Sequence, residues 1–117
     1  MALPDLVRRQ AERELAAYCE HRVPASVRDQ VRLDCEFRGN SATIVERRVP
    51  WHPALEGEAW TRMPIAQLRY VPDRGRWTLF WPDRNTRWHE DDGVRPAKTV
   101  SPLLAEVDRD PTGIYWG

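Results

Sequence analysis

The sequence predicts an α+β fold: an N-terminal helix, an antiparallel meander sheet of about five strands, and a short C-terminal helix. Three observations predict it. Apolar residues recur at spacings of three and four from Val7 to Cys19, which marks one face of a helix. Apolar and charged residues then alternate strictly from Val31 to Arg38, the period of a half-buried strand. Finally, Ile65 to Glu90 holds three of the six tryptophans and reads as three strands joined by two tight turns.

Composition bounds the answer. At 117 residues the chain is expected to be a single domain, residues 1–117. A chain of this size buries roughly two-thirds of the surface its unfolded form exposes, enough to fold without cofactor or disulfide. Hydrophobic residues make up 41% and charged residues 31%, with 18 basic and 18 acidic side chains. A neutral chain has no global attraction for nucleic acid or anionic membrane, so a polyanion site has to be a local patch. Met1 to Cys19 lacks the apolar run of a signal peptide, and no stretch approaches the ~20 apolar residues of a membrane span. The two cysteines, Cys19 and Cys35, lack Cys-x-x-Cys spacing. They read as buried thiols in a reducing cytoplasm rather than as a disulfide or metal site. The expectation is a soluble, cytoplasmic protein without a cofactor.

The elements follow in order. Pro4 and Asp5 open the first helix, Asp5 as an acceptor for backbone N–H groups at the positive end of the dipole. Val7, Ala11, Leu15, Tyr18, Cys19 and Arg22 form its inward face, and Pro24 stops it near Arg22. Pro24 to Arg28 adds a short turn of helix. In the first strand Val31, Leu33, Cys35 and Phe37 face inward. Gly39-Asn40 signals a hairpin with Gly at the first central position. The return strand, Ala42 to Val49, alternates poorly. A two-residue loop pairs Cys35 with Ile44 and Leu33 with Glu46; a three-residue loop pairs Cys35 with Val45 and Asp34 with Glu46. The sequence leaves both registers open.

Pro50 to Glu58 is the longest connection, and strands resume at Trp60, with a bend at Pro64. A four-residue loop at Pro72 to Gly75 sets Tyr70 against Trp77, Leu68 against Leu79 and Ala66 against Trp81. A turn at Arg84-Asn85 then sets Trp81 against Trp88 and Phe80 against His89. This register gathers every large apolar residue except Phe80 on one face, the face expected to pack against the helices. The opposite face carries Gln67, Arg69, Arg76, Thr78, Phe80, Arg87 and His89. Ser101-Pro102 reads as a cap followed by Pro at the first helical position, with Leu103, Leu104 and Val107 as the apolar side. Asp110 to Gly113 turns the chain so that Ile114, Tyr115 and Trp116 dock on the core.

Several stretches together carry a family resemblance. They are Arg47-Arg48 with Pro50-Trp51, Gln67-Leu68-Arg69-Tyr70, Trp77-x-x-x-Trp81-x-Asp83-Arg84-Asn85-x-x-Trp88-His89 and Asp110-Pro111-Thr112-Gly113-Ile114-x-Trp116. On these the chain resembles the small bacterial proteins of domain-of-unknown-function family 3024. The resemblance covers most of the chain. It implies no activity and supplies no functional residues, so site arguments rest on chemistry.

Four constellations carry that chemistry. On the polar face of the meander, Arg69, Arg76 and Arg87 surround Phe80 and His89, placing guanidinium donors beside a stackable ring, as phosphates and unpaired bases require. The bland counterpart is a wet sheet face, common in antiparallel sheets. In the turn Asp83-Arg84-Asn85, Asp83 and Asn85 serve the backbone, while Arg84 projects from the tip as a contact residue. In the first hairpin, Asp34, Glu46 and Arg48 resemble the carboxylate pair and Lys of restriction-endonuclease-like nucleases, in which two carboxylates hold Mg²⁺. Arg48 departs from that pattern, because Arg cannot give up its proton as Lys can. Last, His89-Glu90-Asp91-Asp92, with His52, is weighed as a metal site, but consecutive acids more simply mark a solvated strand exit.

The sequence therefore points to a non-enzymatic binding module that uses Arg69, Phe80, Arg84, Arg87 and His89. Its partner is a protein or single-stranded nucleic acid. The alternative is a divergent metal-dependent nuclease built on Asp34 and Glu46. Self-association through a sheet edge or exposed Trp is a third reading, and no metal ligand set is assigned.

Overall fold

A computed structural model describes residues 3–49 and 60–116. Helix α1 (Asp5–Arg22) leads through a 3-10 turn (Ala25–Val27) into strands β1 (Val31–Arg38), β2 (Ser41–Arg48), β3 (Met63–Val71), β4 (Arg76–Pro82) and β5 (Trp88–Glu90), followed by α2 (Ser101–Arg109). The strands pair antiparallel in the order β1-β2-β3-β4-β5, so the α+β meander is the observed architecture. The connection expected at Pro50 to Glu58, with Trp51 and His52, lies outside the described residues. Trp60 precedes the sheet, and β3 begins only at Met63. None of the described helices is long and apolar enough to cross a membrane.

Helix α1 buries Ala11 and Leu15 and packs Val7 and Tyr18 against the core, as its periodicity demands. Truncating Leu15, fully buried, to Ala removes a side chain whose loss costs about 2–5 kcal/mol in such sites. Pro4, not Asp5, occupies the N-cap, and no side chain caps the helix. Asp5 sits in the first turn, where its charge still favours the dipole.

The first hairpin takes the two-residue loop: Arg38 pairs with Ser41, Cys35 with Ile44 and Leu33 with Glu46. Gly39 adopts φ 57°, a left-handed geometry that Gly adopts without the Cβ clash. Glu46, left opposite an apolar residue, bonds Arg48 at 2.9 Å on its own strand. The poor alternation of β2 has a structural cause. Ala42, Thr43, Ile44 and Val45 are all buried, and the register against β3 shifts between Ile44 and Val45. Such a bulge admits an extra residue on the facing strand. It also lets Pro64, which cannot donate to a ladder, sit in a central strand opposite Val45.

Between β3 and β4, Tyr70 faces Trp77 and Leu68 faces Leu79; the Tyr70 and Trp77 rings meet at 5.3 Å. The ladder ends at Gln67–Phe80, so the expected Ala66–Trp81 pair is not part of it. The last hairpin differs from expectation by one residue. Trp81 faces His89, Phe80 faces Glu90 and Pro82 faces Trp88. Thr86, at φ 62°, is the cause. Its N–H bonds the Asp83 carbonyl at 2.9 Å, and the Asp83 N–H bonds the Arg87 carbonyl at 2.8 Å. This is a turn followed by a left-handed residue, a three-residue loop rather than the two-residue Arg84-Asn85 turn. Thr86, not Asn85, takes the left-handed conformation.

Both helices lie on one sheet face, α1 against β1 and α2 against β4. The core between them joins Leu15, Ile44, Leu68, Trp77, Leu79, Leu103 and Val107. Helix α2 starts from Val100 as N-cap, while the Ser101 hydroxyl donates to Glu14 on α1. Asp110 (φ 41°) ends it. The carboxylate of Asp110 accepts the N–H groups of Tyr115 (3.0 Å) and Trp116 (2.8 Å). That anchors the tail: Tyr115 is buried, and Arg22 lies 4.4 Å over the Trp116 ring.

Candidate functional site

The sheet face away from the helices is built by alternation. Even-numbered residues of β1 and β4 share it with Thr43, Arg47, Gln67 and Arg69. The shifted β4–β5 register decides its last members. Trp88, opposite Pro82, and Glu90, opposite Phe80, join it. His89 and, by alternation, Arg87 belong to the other side, which corrects the expected polar face. His89 stacks on Trp81 at 4.6 Å and bonds Asp83 at 2.8 Å.

A hydrogen-bonded chain fixes the middle of this face. Thr43, buried between strands, accepts from Gln67 Nε2 at 2.9 Å, and Gln67 Oε1 accepts from Arg69 Nε at 2.7 Å. The guanidinium of Arg69 then lies over Phe80, its central carbon 3.9 Å from the ring centroid. Partial burial lowers the pKa of Arg69, and the charge of Glu90 works against that shift. Phe80 is thus a shelf for Arg69 rather than an open stacking surface.

Toward β1 the acids are already satisfied. Arg62 donates twice to Glu36, at 2.6 and 3.1 Å, and Arg47 donates once to Glu36 at 2.8 Å and also to Asp34. The bonds from Arg62 hold the Glu36 carboxyl below its ordinary range. The sheet curls enough that Glu36, Arg38, Thr43 and Gln67 share one cavity of about 260 Å³ with Thr86 and Trp88 from the last hairpin. Its lining combines Arg38 and the Arg62–Glu36 pair with the Trp88 indole and the polar side chains of Thr43 and Gln67.

The tip of that hairpin is tied to one carboxylate. Asp83 Oδ1 accepts the N–H groups of Asn85 (2.8 Å) and Arg87 (2.9 Å). The His89 ring first, then the Arg87 amide, pull the Asp83 carboxyl down to about 2. Arg84 stands exposed on this frame.

The structure does not assemble the other expected sites. Asp34 pairs with Val45, whereas Glu46 pairs with Leu33, so the two carboxylates point to opposite faces of the hairpin. Asp34 is held by Arg47 and Glu46 by Arg48. The convergence that a nuclease needs from Asp34, Glu46 and Arg48 is absent. The acids after His89 also diverge: Glu90 joins the polar face, and Asp91 accepts the Tyr115 hydroxyl at 2.9 Å. Among the described residues no group of three or more His, Cys, Asp or Glu could hold a metal ion.

Sequence reasoning brought Gln67, Arg69 and Phe80 together and missed Trp88, Arg38, Arg62 and Thr43.

No curated protein and no solved structure matches the chain. A family model does, across residues 3–117. The chain belongs to the family described as Domain of unknown function (DUF3024).

Proposed function

We propose that this protein is a non-enzymatic binding module whose polar sheet face takes up single-stranded nucleic acid. The supporting observation is the segregation of charge in a neutral chain. On that face Arg32, Arg38, Arg47, Arg62, Arg69 and Arg76 stand against Asp34, Glu36 and Glu90. The acids near β1 neutralise Arg47 and Arg62. Among the described residues Arg38, Arg69, Arg76 and the tip residue Arg84 make no ion pair.

Guanidinium groups beside an aromatic wall suit a strand that presents phosphates and unstacked bases together. Arg38 and Arg69 serve the phosphates, Trp88 serves a base, and the Arg84 tip extends the cationic track. A folded duplex lacks free base faces and is the weaker ligand.

Fluorescence anisotropy with a labelled single-stranded oligonucleotide tests this. Arg38→Ala with Arg69→Ala is expected to weaken binding by more than tenfold and to flatten its salt dependence. Trp88→Leu is expected to cost roughly 1–3 kcal/mol of affinity, the contribution of one stacked base. Arg84→Ala with Arg87→Ala tests the tip separately. Affinity unchanged by the Arg38/Arg69 and Trp88 substitutions would exclude this face as the binding surface. Capture of an acidic peptide in preference to the oligonucleotide would replace the partner class.

A further inference from the structure

The geometry points to a second binding surface, which shares only Arg32 and Arg38 with the polar face: the groove between α1 and the edge strand β1, which accepts an extended peptide as a sixth, antiparallel strand. β1 is the first strand of the sheet order and has a neighbour on one side only. Its hairpin decides which backbone groups are free. The two-residue turn makes Arg38–Ser41 the closing hydrogen-bonded pair, so bonded pairs recur at Glu36–Thr43, Asp34–Val45 and Arg32–Arg47. The N–H and C=O groups of Leu33, Cys35 and Phe37 therefore point away from β2, off the sheet edge. No backbone bond outside the ladder uses them among the described residues.

The same three side chains face α1. With Ala16 and Cys19 of the helix and Val23 just after it they form the apolar part of a cavity of about 550 Å³, which Glu12, Glu20, Arg28, Arg32 and Asp34 also line. Free backbone and an apolar trough therefore occur along one line, and strand addition needs both: main-chain bonds supply affinity, and a pocket for alternate side chains supplies selectivity. β1 runs eight residues without a Pro, so neither a short strand nor a Pro blocks this edge, which carries charge only at alternate positions.

Charge selects the occupant. On the opposite face of β1, Asp34 and Glu36 are already held by Arg47 and Arg62. Arg32 and Arg38, at the two ends, have no ion pair among the described residues; Arg32 lies over Trp60. The edge is thus cationic at both ends and neutral in the middle. A second copy of this chain is disfavoured in the register centred on Cys35. The twofold register that matches Cys35 with Cys35 sets Arg32 against Arg38 and Asp34 against Glu36, like charge on like. The ligand is a heterologous strand with apolar residues at three alternate positions and an acid at each end.

The palindromic peptide acetyl-Glu-Leu-Thr-Val-Thr-Leu-Glu-amide is the probe, and titration into the full chain with amide NMR and hydrogen exchange is the measurement. Binding is expected to protect the amides of Leu33, Cys35 and Phe37 selectively. Replacing both terminal acids by Lys is expected to weaken binding by roughly tenfold. N-methylation of the Val and Leu residues removes the bonding edge and is expected to abolish binding, while N-methylation of the two Thr residues leaves it intact. Cys35→Pro is the protein-side counterpart, since it deletes an N–H that the hairpin does not use. The proposal fails if both methylated peptides bind alike, or if the three amides stay unprotected at millimolar peptide. It also fails if shifts confined to the side chains of the trough show a small apolar ligand site, or if the mass of the free chain doubles with concentration.

Discussion

Trp81 and His89 stand directly opposite one another on β4 and β5, their rings stacked at 4.6 Å with an interplanar angle of 26°. That pairing follows from a single loop residue. Because side chains alternate with a period of two, one extra residue at Thr86 turns Trp88 toward the polar face and His89 toward the helix side. The composition of the candidate site thus depends on the backbone torsion of one loop residue.

The first prediction concerns that torsion. A β-branched side chain at φ 62° is strained, and the left-handed region costs an L-residue roughly 1–2 kcal/mol. Thr86→Gly removes the clash and adds some unfolded-state entropy, so a net gain of up to about 1 kcal/mol in urea unfolding is expected. Deleting Thr86 should do the reverse. It forces Trp88 opposite Trp81, breaks the His89 stack and the Asp83 amide bonds, and lowers stability by about 2 kcal/mol.

The second concerns pH. The Asp83 carboxyl, ordinarily at 3.8, is drawn down to about 2 by the His89 ring and then by the amides of Arg87 and Asn85. A depressed carboxylate stabilises the fold above its unfolded pKa and loses that contribution as pH falls through its folded pKa. The hairpin is therefore expected to keep its geometry down to pH ~4 and to loosen between 4 and 2. The amide shifts of Asn85 and Arg87 should titrate with a midpoint near 2. A midpoint at 3.8 would show that the carboxylate is not held.

Some of this was legible in the sequence and some was not. Helix α1 and strand β1 were legible because their apolar periods run for many residues and one face is buried in each case. The β3–β4 register was legible because only one loop length brings Tyr70, Leu68, Trp77 and Leu79 together. β5 offered no such constraint. It has three residues, too few for a period, and its register rests on a left-handed Thr that no composition rule favours. The site was half legible for a related reason. Arg69 and Phe80 are near neighbours across one ladder, whereas Arg38 and Trp88 meet only because the whole sheet curls. Curl is a sum over four strand pairs, and no local pattern encodes it.

The third prediction concerns the two thiols, both free and half-buried. Burial first, then the charge of Asp34, pushes Cys19 up to about 11; burial first, then Cys19 and the nearby carboxylates, pushes Cys35 up to about 12. Below pH 9 both thiols are protonated folded or unfolded, and their contribution is fully present. As pH rises further the unfolded chain ionises first, so stability falls until the folded thiols titrate as well. Burial also raises Tyr18 and Tyr115, which adds to the loss at still higher pH. Cys19→Ala with Cys35→Val should flatten the decline in the urea midpoint between pH 9 and 11, relative to the parent. Alkylation of the native protein at neutral pH should be slow for the same reason, since the thiolate is the reactive form.

The last prediction tests the sign of the polar face. Glu90 lies opposite Phe80, whose ring carries the Arg69 guanidinium, and its charge acts directly on Arg69. It is the acid of that face whose carboxylate makes no ion pair among the described residues, unlike Asp34 and Glu36. If the face takes up a polyanion, Glu90 opposes it, because a surface charge within a Debye length of the phosphates raises the energy of the complex. Glu90→Gln should then tighten single-stranded oligonucleotide binding by about two- to fivefold at low salt and leave it nearly unchanged at high salt. The change is isosteric and exposed, so stability should move by less than about 0.5 kcal/mol. A basic peptide or a cation would show the opposite sign, with Glu90→Gln weakening it. Combining Glu90→Gln with Arg69→Ala separates direct from indirect action. If Glu90 acts by drawing Arg69 away from the ligand, the gain disappears in the double variant; if it repels phosphate directly, the gain persists.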